Sequence, residues 1–505
     1  MKNRLGILFA LLALMVGTAA AQDARTVLQA AATAMGAANL KSVQYSGTGW
    51  FGAVGQSYSP DLDWPRTDVK SYTRTIDYDA KSSNEEMVRV QGSNPLRGGG
   101  QGFPIQTEIR QVAMVSGNYA WNMQGNNATP APAAAEVRQL DIWLTPHGFL
   151  KAAMAGNATA ISRMEAGRNV TIVSFTALGK YRVNGTINDE NLVQLVRTWV
   201  PNPVFGDMLY ETRYTNYKDF GGVKFPTVLH SHQGDLRLSA GENYLEIKVS
   251  NFQANVSGAA LSVPDAVRQA TAPPVRVESQ KLAEGVWLLA GGSHNSMAVE
   301  FRDFVTVVEA PQNEERSLAV IAEVRKLIPS KPIRYVVNTH HHWDHLGGIR
   351  TYVHEGATII MHEGNRAYYE EILTERPWLL KPDRYSLHPP EEWAEGYIFE
   401  TVRERYVLSD GTRNMEIYNV QTPTYGPAHV AGMLIVYLPK EKMVVEADLY
   451  NPPAPGAALP AAPSASNVTF YENVRRLKLD IAQIASIHGR VVPWADFLKV
   501  VGKTE

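Results

Sequence analysis

The chain has 505 residues, room for two or three domains of ordinary size. Lys and Arg total 48 against 50 for Asp and Glu, a formal net charge of −2, so the electrostatic footprint of a nucleic-acid binder is missing. Cysteine is absent, which excludes disulfides, thiolate nucleophiles and cysteine-ligated metals.

Residues Met1-Lys2-Asn3-Arg4 are basic, 5–16 is an apolar run, and Ala19-Ala20-Ala21 offers an Ala-x-Ala cleavage site. This pattern predicts a signal peptide over 1–21 and a periplasmic or secreted mature protein. The run is short for a membrane span, and no later segment reaches the ~20 apolar residues a spanning helix needs. Residues 24–38 pattern as an amphipathic helix, apolar at Val27, Leu28, Ala31, Ala32 and Met35, with Asn39 as a stop. The period then switches to two. Strands are expected at 42–52, 71–78, 86–90 and 108–115 and, after one helix over 140–155, in a meander at 170–175, 181–188, 192–199, 208–217 and 223–230. The glycine-rich stretch 97–103 lacks the following helix that a phosphate-cradling loop requires, and reads as a flexible hairpin tip. An Ala/Pro/Asn loop is expected at 126–135. Trp50, Trp121, Trp143 and Trp199 read as core.

Residues Tyr217-Lys218-Asp219-Phe220-Gly221-Gly222-Val223-Lys224-Phe225-Pro226 are similar to a strand–turn–strand of lipoprotein-carrier-like domains. That resemblance implies an antiparallel β-rich, half-barrel-like domain over 22–255. Its concave face would be apolar, serving either as a plain structural core or as a holder for a lipid or acyl tail. Residues 256–278, with Gly258, Pro264, Pro273 and Pro274, read as a linker carrying a short helix.

A second domain is expected over 279–505. It opens with a hairpin at 286–290 and 297–301, an apolar run at 304–308 and a helix at 314–327 capped by Asn313. A short β-branched strand at 333–338 then leads into Thr339-His340-His341-His342-Trp343-Asp344-His345-Leu346-Gly347-Gly348. A purification tag would sit in low-complexity sequence at a terminus; this cluster follows a core-like strand. In extended backbone His340 and His342 point the same way, while Asp344 and His345 fall on the bend beyond. Imidazole and carboxylate are ligands that zinc takes. One loop can thus offer two imidazoles to one metal and a carboxylate plus an imidazole to a neighbour. His341 points away and reads as structural.

The spacing His-x-His-x-Asp-His, followed by Gly-Gly after an apolar strand, resembles the signature of the metallo-β-lactamase superfamily, over roughly 280–505. The resemblance implies an α+β chain whose C-terminal part is an αββα sandwich with metals at its strand ends. It implies His340, His342 and His429 on one metal, Asp344, His345 and His488 on a second, and Asp448 bridging. Ala428 and Val430 around His429, and Ala447 before Asp448, depart from the family's usual residues. Glu309 stands where the family carries Asp, and reads as a hydrogen-bonding support for the metal loop. The cofactors implied are two Zn²⁺ per chain, with iron or manganese as alternatives. A metal-bridging hydroxide would attack a carbonyl, with Asp344 orienting it and the metals stabilising the oxyanion, helped by a donor such as Tyr450 or Asn451 that the sequence does not assign.

The function expected is an exported dinuclear zinc hydrolase of an ester, lactone, thioester or amide/lactam bond. Two other classes stay open: an iron-dependent oxidoreductase on the same fold, and a non-catalytic lipid or acyl carrier. The Pro/Ala loop 451–467 reads as a lid. Trp343 and Tyr425 suggest an apolar rim, hence a small-molecule substrate with an apolar part rather than nucleic acid. His294 at the first hairpin tip reads either as a substrate contact or as an ordinary tip residue.

Overall fold

The computed structural model describes residues 23–93, 97–100, 103–234, 243–374, 376–389, 399–423 and 426–504. The expected signal peptide and Tyr425 lie outside the described residues. Among those described, no helix is long and apolar enough to cross a membrane.

The first helix spans Ala24–Ala34, capped by the Asp23 carboxylate, which accepts from Arg25 N at 3.1 Å. It stops short of residue 38 because Gly36 turns at φ +67°, where a Cβ would lie 2.0 Å from Gly222 O. The chain then enters the middle of a thirteen-stranded antiparallel sheet. From Ser42–Gly52 it meanders outward through Arg66–Asp77, Ser82–Val90, Ile109–Ser116 and Tyr119–Gln124 to Asn127–Pro130 at one edge. Two helices, Ala135–Leu144 and Pro146–Ala155, carry it to the other edge. From there it returns through Thr159–Glu165, Arg168–Ala177, Tyr181–Ile187, Val193–Asn202, Gly206–Asp219 and Lys224–Gly234 to Asn243–Ala254. That last strand pairs with the first, Tyr45 opposite Phe252, so two local meanders close on each other at the centre.

Four sequence expectations change here. The single helix at 140–155 is two. Pro146 has no N–H to donate, Thr145 is extended at ψ 156°, and its hydroxyl caps the second helix by accepting from Gly148 N at 3.3 Å. The loop expected at 126–135 contains an edge strand and a 3₁₀ turn, Pro132–Ala134. Nor is the face of the sheet that packs on the helices, expected to be apolar, apolar throughout. Beside Tyr45 and Phe225 it holds Arg74, with Glu85 at 3.7 Å and the Tyr72 hydroxyl donating to Glu85 at 3.0 Å. Of the four tryptophans, Trp121 is buried but Trp199 is 37% exposed.

Beyond a short helix at Asp265–Arg268 come two further sheets. One is ordered Glu278–Ala283, Val286–Ala290, Ser296–Glu300, Val305–Val308, Ile333–Val337, Thr358–His362, Phe399–Val402. The other runs Arg405–Ser409, Asn414–Asn419, Leu434–Leu438, Met443–Glu446, Gln483–Ser486, Val491–Pro493. Their facing sides share one apolar core, with Val286, Val299 and Val337 from the first and Leu434, Val436 and Val445 from the second. Glu314–Leu327 packs Val320, Ile321 and Val324 outside the first sheet; Ala465–Leu477 and Trp494–Val500 pack Phe470 and Phe497 outside the second. This is the αββα sandwich. Its outer helical layer and the buried face of the N-terminal sheet belong to one continuous cluster, so the two halves share a core.

Candidate metal centre

The histidine-rich stretch leaves the strand Ile333–Val337 where the two sheets of the sandwich meet. Asn338 N donates to Ile360 O at 3.0 Å on one side, and Thr339 O accepts from Leu434 N at 2.8 Å on the other. A one-turn helix, Trp343–Leu346, then turns Asp344 and His345 back toward His340. Gly348 is required at the next turn: a Cβ would sit 2.0 Å from the Ser317 hydroxyl. His429 arrives from the loop before Leu434–Leu438, Asp448 from the end of Met443–Glu446, and His488 from the end of Gln483–Ser486.

These residues fall into two groups whose ligand atoms lie within 4.8 Å of one another: His340, His342, His429 and Asp448; and His294, Asp344, His345 and His488. Asp448 touches both. Its Oδ2 lies 3.0 Å from His429 Nε2, 3.1 Å from His345 Nε2 and 3.4 Å from His340 Nε2, and its Oδ1 lies 2.9 Å from His488 Nε2. The structure therefore brings together all seven side chains named from the sequence and adds His294, whose Nε2 lies 3.3 Å from Asp344 Oδ2.

The surrounding acceptors fix which imidazole nitrogens are bare. A carbonyl or carboxylate oxygen only accepts, so the ring nitrogen facing it carries the proton. His345 Nδ1 donates to Glu309 at 2.6 Å and His488 Nδ1 to the Ser293 carbonyl at 3.0 Å. In the neutral rings both Nε2 lone pairs are then free, yet these atoms face each other at 3.2 Å. His342 Nε2 donates to the Ser57 carbonyl at 2.9 Å, leaving Nδ1 buried and without a hydrogen-bond partner among the described residues. The Nε2 atoms of His340 and His429 meet at 3.4 Å. Opposed lone pairs around a carboxylate repel unless a cation sits among them, so this donor set fits divalent metal.

The carboxylates add a demand for positive charge, which in the metal-free centre falls on imidazole protons. Burial would lower the pKa of His345, but Asp448, Asp344 and Glu309 outweigh it and push the imidazole well above its ordinary value. Burial holds His340 and His342 well below theirs. For Asp344 burial opposes ionisation, and His345, His294 and His342 overcome it, so the carboxyl sits far below the usual range.

The support beneath is specific. Glu309, fully buried at the end of Val305–Val308 with φ +74°, turns its carboxylate back to accept from Thr339 N at 2.7 Å as well as from His345. Asp448 is also in the left-handed region, at φ +58°. Both are non-glycine residues in sparsely populated backbone, which persist only where their surroundings dictate them. Asn338 Nδ2 donates to His345 O at 2.9 Å, and Tyr369 donates to Asn338 Oδ1.

Several expected neighbours of the site lie elsewhere. Trp343 does not form a rim: it packs against Phe205 at 4.8 Å and Trp64 at 5.6 Å, and its indole N–H donates to the Tyr368 hydroxyl. Tyr450 is buried against Phe497, so it is no oxyanion donor. His341 donates to the Ser57 carbonyl at 3.1 Å, a structural contact. The loop after Asp448 ends at Ser464, which caps Ala465–Leu477 in a reciprocal box with Asn467. Sequence reasoning missed Gln56 and Ser57. They sit almost 300 residues upstream in an undistinguished loop, with no local signal of where they dock.

Residues 289–480 match the family model of the metallo-beta-lactamase superfamily. Together with the sandwich and the placement of the histidine stretch, this assigns the C-terminal domain to that superfamily. Among solved structures the chain is similar to a metallo-beta-lactamase from Pontibacter korlensis (16% identity, 45% of this chain and 100% of that one, TM-score 0.34). It is also similar to the FIM-1 metallo-beta-lactamase from Pseudomonas aeruginosa in a mono-zinc form (19%, 45% and 94%, 0.33) and to the DIM-1 metallo-beta-lactamase (15%, 45% and 97%, 0.33). No curated protein matches the sequence.

Proposed function

We propose that the chain is an exported dinuclear zinc hydrolase that cleaves an ester, lactone, thioester or amide/lactam bond in a small-molecule substrate. The observation that carries this reading is the convergence of four imidazole Nε2 atoms, those of His340, His345, His429 and His488, on Asp448, with the other nitrogens of His345 and His488 committed to acceptors. His340, His342 and His429 would hold one cation, Asp344, His345 and His488 the other, and Asp448 would touch both. Bound divalent cations would supply activation of a water molecule near neutral pH and polarisation of the scissile carbonyl. Asp344 keeps Oδ2 directed at the second group, where an ionised carboxylate can orient a water and hold its proton. His294 lies against His488 and Asp344, closing that side of the second group. Export is supported by the leader-like residues 1–21.

Elemental analysis of the mature protein, paired with a panel of esters, lactones, thioesters and lactams, tests this. Two zinc equivalents and a turnover that Asp344→Ala lowers by about 10²-fold or more are expected. One iron and no zinc, with no hydrolysis, would replace the reading by the oxidoreductase one.

A further inference from the structure

The N-terminal sheet reaches into the metal centre through the loop between its first two strands. That loop is pinned at several points. Ala53 N donates to Pro65 O at 2.9 Å, closing its base. Gly55, at φ +74°, lies against the Trp343 ring so closely that a Cβ would sit 2.4 Å from it, and its carbonyl accepts from Trp343 N at 3.2 Å. Tyr58 O accepts from Ala431 N at 2.7 Å, two residues beyond His429. The glycine-rich stretch, expected to be a free hairpin tip, buttresses the same loop: Gly99 N donates to Gln56 O at 2.7 Å, and Gly98 N donates to Ala428 O at 2.9 Å. Arg97 stacks on the Tyr58 ring at 4.0 Å and donates to its hydroxyl.

At the apex of this scaffold Gln56 Nε2 donates to Asp344 Oδ1 at 2.8 Å. The assignment of the amide is forced, because the ionised carboxylate cannot donate. Next to it, Ser57 O accepts from His342. The two oxygens of Asp344 are thereby divided: Oδ1 is committed to Gln56, and Oδ2 faces His294 and His345.

We infer that this loop is a working part of the catalytic centre: Gln56 is a positioning residue that sets which oxygen Asp344 turns to the second cation, and the Ser57 carbonyl sets the tautomer of His342. The inference rests on the dinuclear reading above. It also gives the N-terminal sheet a role that neither a carrier nor a passive support would have, since the sandwich alone lacks both groups.

The test uses the full chain. Wild type, Gln56→Ala and Gln56→Glu are titrated with Zn²⁺ against a competing chelator at pH 8 and pH 5.5, with melting curves as a folding control. Removing an outer hydrogen-bond partner of a metal ligand typically costs ~10–100-fold in affinity. Gln56→Ala is expected to lose that much at the second equivalent only, at both pH values. Gln56→Glu should lose at least as much at pH 8, where its carboxylate repels Asp344. In the metal-free protein, nitrogen NMR of His342 should report the Nε2–H tautomer. A wild type that binds two cations while Gln56→Ala binds both equally well, or a His342 with the proton on Nδ1, overturns the inference and leaves the hydrolase reading standing. A wild type that takes up no divalent cation overturns both.

Discussion

Glu309 shows how much of the centre depends on one carboxylate that touches no substrate. Both of its oxygens are committed, one to Thr339 N and the other to His345 Nδ1. An ionised carboxylate accepts at both positions; a carboxamide must present N–H at one of them, against a donor. Glu309→Gln is therefore a nearly isosteric change with a large expected effect. It forfeits a charge-assisted bond and leaves a buried donor facing a donor, at a cost of about 1–3 kcal/mol in stability. It also unfixes the proton on His345 Nδ1, and a ~10–100-fold weaker second cation is expected. Denaturant melts and zinc competition measure the two effects separately. Unchanged metal affinity would mean that the tautomer of His345 is set by something other than Glu309.

Among the elements, the short helix Ile349–His354 holds the histidine corner in place from behind. Its anchor is Arg350, 5% exposed, whose Nε and Nη2 meet Asp383 at 2.5 and 3.1 Å while Nη1 donates to the carbonyls of Ile372 and Leu373. The guanidinium lies between Trp378 and Tyr385, at 4.3 and 4.4 Å. Removing one partner of a buried pair strands the other, so Arg350→Met should cost about 3–5 kcal/mol, and Arg350→Met with Asp383→Asn markedly less. Equal losses in the single and double variants, read by urea titration, would show that the stranded carboxylate is not the source. This pair had no sequence signature, because 33 residues separate its members. The legible elements were those whose period matched their burial. The helix Glu314–Leu327 and the strand Ile333–Val337 were read nearly to their ends. The strand Thr159–Glu165 gave no usable signal, for it lies at a sheet edge with Ile161 66% and Met164 63% exposed. The metal corner was legible because four ligands sit within six residues. His429, Asp448 and His488 were placed through family order, and Gln56 through neither.

Across the whole molecule the halves are coupled, because the loop that holds Asp344 hangs from a sheet whose own core must stay closed. The weak point of that core is His147, fully buried, its ring stacked on Phe225 at 5.9 Å and 5°. Nε2 donates to Met35 O at 3.2 Å, while Nδ1 has no partner among the described residues. The side chain thus ties the first helix, the second crossover helix and a central strand together as a neutral imidazole. Burial, with a smaller contribution from Lys151, lowers its pKa to about 4 against an ordinary 6.5. The unfolded chain therefore binds a proton that the folded one refuses between those values. Stability is full above pH 6.5 and is lost as pH falls toward 4, by roughly 3 kcal/mol at 1.36 kcal/mol per pH unit. His147→Gln keeps a donor for Met35 O and cannot charge. Metal-free wild type and variant, unfolded in urea at pH 7 and pH 4.5, should differ mainly in the acid sample, where the variant retains more of its stability. Because the Asp344–Gln56 contact depends on this closed core, the variant's metal uptake after an acid pulse should also recover more completely. Parallel losses in the two proteins would mean that the acid sensitivity arises from the histidines of the metal corner instead.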